Sequence, residues 1–104
     1  MKRIQRKRTK GWRMPKNTVY VGRPSIFGNP HSSGDKESDV LKFKFAVQFE
    51  IESLRCGIPP ALNYGYARKI AENLDKLKGK NLACWCGPNE RCHADALLEI
   101  MNEL

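Results

Sequence analysis

The stretch of chain at residues 81–95 constrains the fold most, because a short apolar run there turns directly into a helical pattern. The run up to Cys86 is typical of a strand, and on an extended strand Cys84 and Cys86 share one face. A turn follows, and we predict that Asn89 caps a helix that begins near Arg91. The stretch therefore predicts a strand end and a helix start at one place, among three of the chain's four cysteines.

A second strand and loop lie earlier in the chain. Residues 18–21 are mostly β-branched or aromatic and predict a strand, and Gly22 after them opens a loop that extends to about Ser33. In small parallel sheets ligands collect at the carboxyl ends of the strands. We therefore expect this loop and the loop at residues 87–90 to meet in space.

The remaining apolar residues predict helices. Residues 38–55 carry apolar side chains at alternate positions, as in a strand, but a subset also fits one helical face. The length of this stretch and a cap at Ser38 favour the helix. A second helical pattern starts near Tyr66 and ends at Gly79, and a third runs from about Arg91 to the C-terminus.

This order of elements predicts a small single α/β domain, with a mostly parallel short sheet flanked by helices. The chain has 104 residues, which is enough for one core and too few for a second. We assign residues 17–104 to the domain and residues 1–16 to a basic N-terminal arm.

The net positive charge comes from the N-terminus. Residues 1–16 carry 8 of the 19 Lys and Arg side chains and no acidic residue, so the rest of the chain is formally neutral. Such a run predicts a polyanionic partner, because neutralising phosphates releases counterions. An interleaved indole can stack on a base, and we predict nucleic-acid contacts by Arg6, Lys7, Arg8, Lys10, Trp12 and Arg13. The alternative is a solubilising tail.

The sequence also bears on location. The basic start of the chain has no apolar segment behind its charges, and the chain has no run of about 18 apolar residues that could span a bilayer. We expect a cytoplasmic protein with no membrane partner and with reduced thiols, since disulfides belong to oxidising compartments.

Three interpretations of the cysteine-histidine cluster are open. Cys84, Cys86, Cys92 and His93 could be the four ligands of a zinc ion, although adjacent Cys92 and His93 are awkward as ligands of one metal. Alternatively, Cys92 is a nucleophile, His93 its acid or base, and Asp95 an orienting carboxylate, at a helix start that favours thiolates and anions. Finally, the cysteines could be small apolar packing residues.

The first loop carries a weaker signal. Gly22 and Gly28 permit tight backbone geometry, while Arg23 and Asn29 offer planar donors suited to a phosphate, a carboxylate or a base edge. An ordinary turn uses the same residue types. We name Arg23, Gly28 and Asn29, together with Cys84, Trp85 and Cys86 of the second strand, as the candidate ligand-binding residues.

Three motifs together resemble the domain of unknown function 4326 family, small proteins of bacteria and their phages: YVGRPSIFGNP at residues 20–30, LKGKNLACWC at residues 77–86 and CHAD at residues 92–95. The resemblance covers nearly the whole chain but implies no activity. It implies that the pattern includes Arg23, Gly28, Asn29, Cys84, Trp85, Cys86, Cys92, His93 and Asp95. This chain has Phe27 where the pattern has tryptophan, and His31 where it has an aromatic residue.

These observations lead to one main hypothesis about function. We expect a small basic protein that binds a phosphate-bearing ligand, a nucleotide or a nucleic acid, with chemistry at Cys92 or His93 left open. The alternative is a non-catalytic module that binds nucleic acid or a host protein, with structural or zinc-bound cysteines. No cofactor is expected unless zinc occupies the cluster, and neither enzymatic activity nor oligomeric state follows from the sequence.

Overall fold

A three-stranded parallel sheet forms one layer of the protein. The computed structural model describes residues 2–87 and 89–104. Met1 of the predicted arm and Pro88 of the predicted second loop lie outside these residues. The strands are β1 (Arg3–Gln5), β2 (Thr18–Tyr20) and β3 (Asn81–Cys84), in the order β1-β3-β2. The predicted small α/β fold with a parallel sheet is confirmed.

Strand β3 is central because it is the most apolar of the three. Leu82, Ala83 and Cys84 are all buried, as expected for a parallel strand that is covered on both faces. The predicted strand extended to Cys86, but pairing ends at Cys84, where the chain bends into the turn.

Strand β1 was not predicted. It comes from the basic arm, and Ile4 lies opposite Ala83 of β3. The pairing continues at both ends of the strand. The backbone N–H of Leu82 donates to the carbonyl of Lys2 at 2.9 Å, and that of Arg6 donates to the carbonyl of Cys84 at 2.7 Å. The fold therefore includes part of the predicted arm. The segment could not be predicted as a strand, because a single isoleucine among basic residues forms no alternating apolar pattern.

Helix α1 (Lys36–Arg55) resolves the ambiguity of residues 38–55 in favour of a helix. Its apolar inner face, which includes Phe43 and Val47, packs into the core. The helix begins earlier than predicted, because the carboxylate of Asp35 accepts the backbone N–H of Ser38 at 3.3 Å. Ser38 is thus inside the helix, and Asp35 is its cap.

The other helices are shorter than their sequence patterns. Helix α2 (Gly65–Glu72) ends at Glu72, and a 3-10 turn (Leu74–Leu77) completes the predicted second helix. Helix α3 (His93–Glu103) begins after Cys92, not after Asn89. The carboxylate of Asp95 accepts the Cys92 backbone N–H at 3.3 Å, which fixes this start.

One buried ion pair joins α1 to α2. Glu50 is fully buried, and its carboxylate accepts hydrogen bonds from Arg68 at 3.1 Å and from the Ala61 backbone at 3.2 Å. The pair lies beneath the connection between the two helices. Among the residues that the structure describes, no helix has the length and apolar character needed to cross a membrane.

Candidate functional site

A cleft of about 400 Å³ opens at the carboxyl ends of β2 and β3. The loop after β2 forms one wall, and the turn between β3 and α3 forms the other. The first residues of α1 close the third side with Lys36 and Asp39. The first predicted loop lines the cleft, and so do the residues on either side of the second, including Cys86 and Arg91, but residues 87–90 are not among the lining residues.

A hydrogen bond from His93 joins the two walls. The His93 ring donates its Nε2–H to the carbonyl oxygen of Val21 at 2.6 Å. Val21 is itself held by the sheet, since its backbone N–H donates to Ala83 over 2.9 Å. A carbonyl oxygen can only accept, so Nε2 carries a proton, and the other ring nitrogen, Nδ1, faces the Cys92 sulfur.

Gly28 allows the first loop to close on itself. A Cβ atom at this position would lie 2.7 Å from Cγ of Arg23 and 3.1 Å from its backbone, so any larger residue would push residue 28 away from Arg23 and open the loop. The Tyr20 hydroxyl donates to the Arg23 carbonyl at 2.9 Å and closes the loop from the other side. Gly28 thus shapes the loop and is not among the residues that line the cleft.

Asn29 holds the first loop against α1. Its amide nitrogen donates to the carbonyl of Asp39 at 3.2 Å, and its amide oxygen accepts the backbone N–H of His31 at 2.9 Å. The carboxylate of Asp39 in turn accepts the backbone N–H and the hydroxyl of Ser33. Much of the hydrogen-bonding capacity of Asn29 is therefore used within the protein, although the side chain borders the cleft.

Arg23 differs from Asn29 in this respect. It is exposed at the cleft rim, and no ion pair involves it within the described parts of the chain. Its guanidinium therefore offers donors to a ligand. Gly28 leaves room for the base of this side chain at the loop.

Three sulfur atoms form a compact cluster at the floor of the cleft. Cys84, Cys86 and Cys92 place their Sγ atoms within 4.8 Å of one another, and Cys84 and Cys92 are only 2.9 Å apart. Two of the three are buried, while Cys86 is partly exposed. The fourth cysteine, Cys56, is exposed at the far end of α1 and takes no part.

The three sulfurs could hold a metal ion. In tetrahedral zinc sites the Zn–S distance of about 2.3 Å places sulfurs about 3.8 Å apart, a separation that this cluster can adopt with small movements. His93 was predicted as the fourth ligand. Among the described residues the compact group contains the three cysteines alone, and of these three His93 contacts Cys92, with Nδ1 at 3.6 Å from Sγ.

Hydrogen bonding separates the acidities of the two buried thiols. A hydrogen bond from Cys84 lowers the pKa of Cys92 far below its ordinary value, and the His93 ring and the Ala94 backbone N–H add to this effect against the cost of burial. The same bond, together with burial, raises the pKa of Cys84, and burial raises the pKa of Cys86. Cys92 is therefore the more acidic of the two buried thiols, because it accepts the hydrogen bond that Cys84 donates.

Asp95, the predicted orienting carboxylate, contacts Cys92 and Arg3. Its carboxylate accepts the Cys92 backbone N–H and forms an ion pair with Arg3 at 3.2 Å. The group that orients His93 is the Val21 carbonyl. Sequence reasoning could not find this partner, because a backbone carbonyl carries no residue signature.

The arm folds against Trp85 at the mouth of the cleft. The guanidinium groups of Arg6 and Arg8 both lie 4.9 Å from the centre of the Trp85 ring, and Arg6 also lies 4.7 Å from the Tyr20 ring. The indole remains 41% exposed. Of the other predicted nucleic-acid-binding residues, Lys7, Lys10 and Arg13 are exposed, and Trp12 is partly buried.

Sequence reasoning missed two basic residues at the site. Lys36 pairs with Glu90 across the cleft entrance, and the hydrogen bond from this pair raises the pKa of the lysine. Arg3 donates to the carbonyls of Gly87 and Glu90, each at 2.8 Å, and so holds the turn between β3 and α3. A correct start for α1 would have identified Lys36, whereas the sequence has no local signal for the contacts of Arg3.

Comparison with known proteins gives one match. Residues 4–103 match the model of a family described as "Domain of unknown function (DUF4326)". No curated protein and no solved structure matches the chain.

Proposed function

The chain belongs to the DUF4326 family, and we propose that it binds a phosphate-bearing ligand, a nucleotide or a nucleic acid, in the cytoplasm. The observation that carries this proposal is the cleft itself, which has a basic rim and an exposed indole at its mouth. Its volume of about 400 Å³ falls in the range of small-molecule sites.

The phosphate would bind at the basic rim. Arg23 offers a guanidinium outside any ion pair of the described residues, and such a fork matches two phosphate oxygens. Lys36 and Arg91 also line the cleft, and each is paired with a glutamate, Glu90 and Glu99 respectively. An incoming anion competes for these two side chains, whereas it meets Arg23 without displacing an acid.

The base would bind beside Trp85. The Trp85 ring interacts with the guanidinium groups of Arg6 and Arg8, so an aromatic surface and two cations lie next to one another. This alternation is typical of proteins that bind single-stranded nucleic acid, in which aromatic side chains stack on bases and nearby basic residues follow the backbone.

Chemistry on the ligand is a second part of the proposal. Cys92 and His93 line the same cleft, the first with a strongly lowered pKa and the second with its Nδ1 at 3.6 Å from the Cys92 sulfur. In this role Cys92 is the nucleophile and His93 the acid or base. Asp95 contacts the Cys92 backbone and would act as a positioning residue.

The test of binding is a titration with a nucleoside triphosphate and with a short single-stranded oligonucleotide. Arg23→Ala should lower affinity by about 10- to 100-fold, because it removes charge-assisted hydrogen bonds to phosphate. The matched control is Arg55→Ala, which removes an exposed arginine from the far end of α1. Equal losses in both variants would contradict the proposal.

The contribution of the arm needs a milder change than deletion, because residues 3–5 belong to the sheet. Replacing Lys7, Lys10 and Arg13 by serine removes three charges and leaves β1 intact. The affinity for the oligonucleotide should fall, and its salt dependence should become shallower, as each lost phosphate contact reduces counterion release. An unchanged salt slope would assign the arm a solubilising role.

A zinc-containing, non-catalytic module is the second candidate, and the three sulfurs within 4.8 Å favour it. Metal analysis of protein purified without chelator distinguishes the two. About one zinc per chain, lost in a Cys86→Ser variant, would support a structural or ligand-binding metal. A metal-free protein that still binds the nucleotide would remove zinc from the function.

A further inference from the structure

The outer face of α1 is apolar, although no described element covers it. Leu41, Phe45 and Phe49 lie one helical turn apart and are 57%, 60% and 46% exposed. The inner face of the same helix is also apolar, which explains why apolar residues alternate through this part of the sequence. A helix that is apolar on two faces needs a partner on the second.

The exposed residues form one continuous patch. The rings of Phe45 and Phe49 stack with centres 6.3 Å apart, and Phe49 meets Tyr64 edge to face at 5.7 Å. A groove of about 380 Å³ runs beside them, lined in part by Leu41 and His31. A ridge next to a groove provides the surface into which another helix can pack.

We propose that this face binds a second copy of the chain, with the two α1 helices antiparallel. A two-fold interface must be self-complementary, so that each residue meets a partner at the mirrored position. Phe45 and Phe49 each lie two positions from residue 47. If the two-fold axis passes near residue 47, Phe45 of each copy meets Phe49 of the other.

Charge supports the choice of a second copy over another protein. Lys42 and Glu52 are exposed, and they lie at equal distances on opposite sides of the same midpoint. In the antiparallel pair each lysine approaches the glutamate of the other copy, and the symmetry forms this contact twice. Glu52 already contacts Arg55 on its own helix at 3.4 Å, an exposed pair that can rearrange.

The experiment measures molecular mass by light scattering over roughly a hundredfold range of protein concentration. The full chain should form dimers that dissociate on dilution. Replacing Phe45 and Phe49 together by serine should weaken the dimer by about 100-fold or more, because both rings lose their burial. A matched control changes two other exposed apolar residues, Ile26 and Leu104, to serine and should leave the dimer unchanged.

A charge exchange tests the antiparallel arrangement. Lys42→Glu alone, or Glu52→Lys alone, places like charges opposite one another and should weaken the dimer by roughly tenfold. The variant with both changes restores opposite charges and should recover the wild-type dissociation constant. Circular dichroism should show unchanged helix content in all variants, because the altered side chains are exposed.

Two results would overturn the proposal. One is a protein that stays monomeric at every concentration, and the other is a dimer that the Phe45 and Phe49 changes do not weaken. Failure of the double charge variant to recover would overturn the antiparallel pairing. None of these outcomes depends on nucleotide binding, since the patch and the cleft are tested by different variants.

Discussion

The cleft and the helical layer are held together by different forces. At the cleft, side chains bond to backbone groups of distant segments, as His93 does to Val21 and Asn29 to Asp39. Between α1 and α2, apolar packing dominates, with the buried pair of Glu50 and Arg68 as the main polar contact. The comparison indicates that the helical layer supplies stability, while the cleft keeps polar groups in positions that a ligand can use.

The largest expected effect lies in the helical layer. Arg68→Met leaves the fully buried carboxylate of Glu50 without its charged partner, and we expect the free energy of unfolding to fall by about 3–5 kcal/mol. Arg55→Met, which breaks the exposed pair with Glu52, should cost less than about 0.5 kcal/mol. Urea denaturation of both variants makes the measurement. Similar losses would mean that the buried pair is not the stronger of the two.

An intermediate effect is expected at the cleft. Arg3→Met removes the hydrogen bonds to Gly87 and Glu90 and the ion pair with Asp95. The free energy of unfolding should fall by about 2 kcal/mol. Lys2→Met is the matched control, because it removes the same charge from an exposed neighbour on the same strand end. The thiol of Cys86 should also react faster in the Arg3 variant, since the turn that shields it loses its anchor. A loss as large as that of Arg68→Met would remove the contrast between the two regions.

The smallest effect concerns the loop anchor and depends on pH. The Ser33 hydroxyl donates to Asp39 and lowers the pKa of that carboxyl. A lowered folded-state pKa stabilises the protein above the unfolded value of about 3.9, and this stabilisation is lost as the pH falls through the folded value. Ser33→Ala should therefore lower the melting temperature slightly at pH 7.

The difference between Ser33→Ala and the wild type should shrink in strong acid, where Asp39 is protonated in both states. Ser32→Ala is the control, because Ser32 is an exposed neighbour in the same loop. Thermal melts at neutral and acid pH make the comparison. A difference between Ser33→Ala and the wild type that is independent of pH would show that the hydroxyl does not act through the carboxylate.

Local patterns predicted the elements better than their ends. Ser38 and Asp35 are both good cap residues, and three positions separate them. Which of the two caps the helix depends on where the first loop ends in the folded protein. Asn89 and Cys92 present the same problem at α3, where the carboxylate of Asp95 decides the start. Boundaries of this kind follow from contacts that form only in the folded chain.

The sequence predicted which residues lie near one another better than it predicted the partners of their side chains. The cysteines, His93, Trp85 and Arg23 all border one cleft, as the two loops after parallel strands implied. Asn29, Gly28 and Asp95 have neighbours that no sequence motif specifies. Which atoms a side chain meets depends on the packing of segments that are distant in sequence.

The sequence by itself determined the parallel α/β arrangement, the position of the cysteines at the end of a strand and the concentration of basic charge at the N-terminus, because each follows from a local pattern of residues. Only the tertiary structure decided that Arg3 closes the turn after β3, 84 residues away from Gly87. It also decided that the arm supplies a strand and that α1 presents a second apolar face. These features depend on which segments pack against which surfaces, and that packing is set by the whole fold.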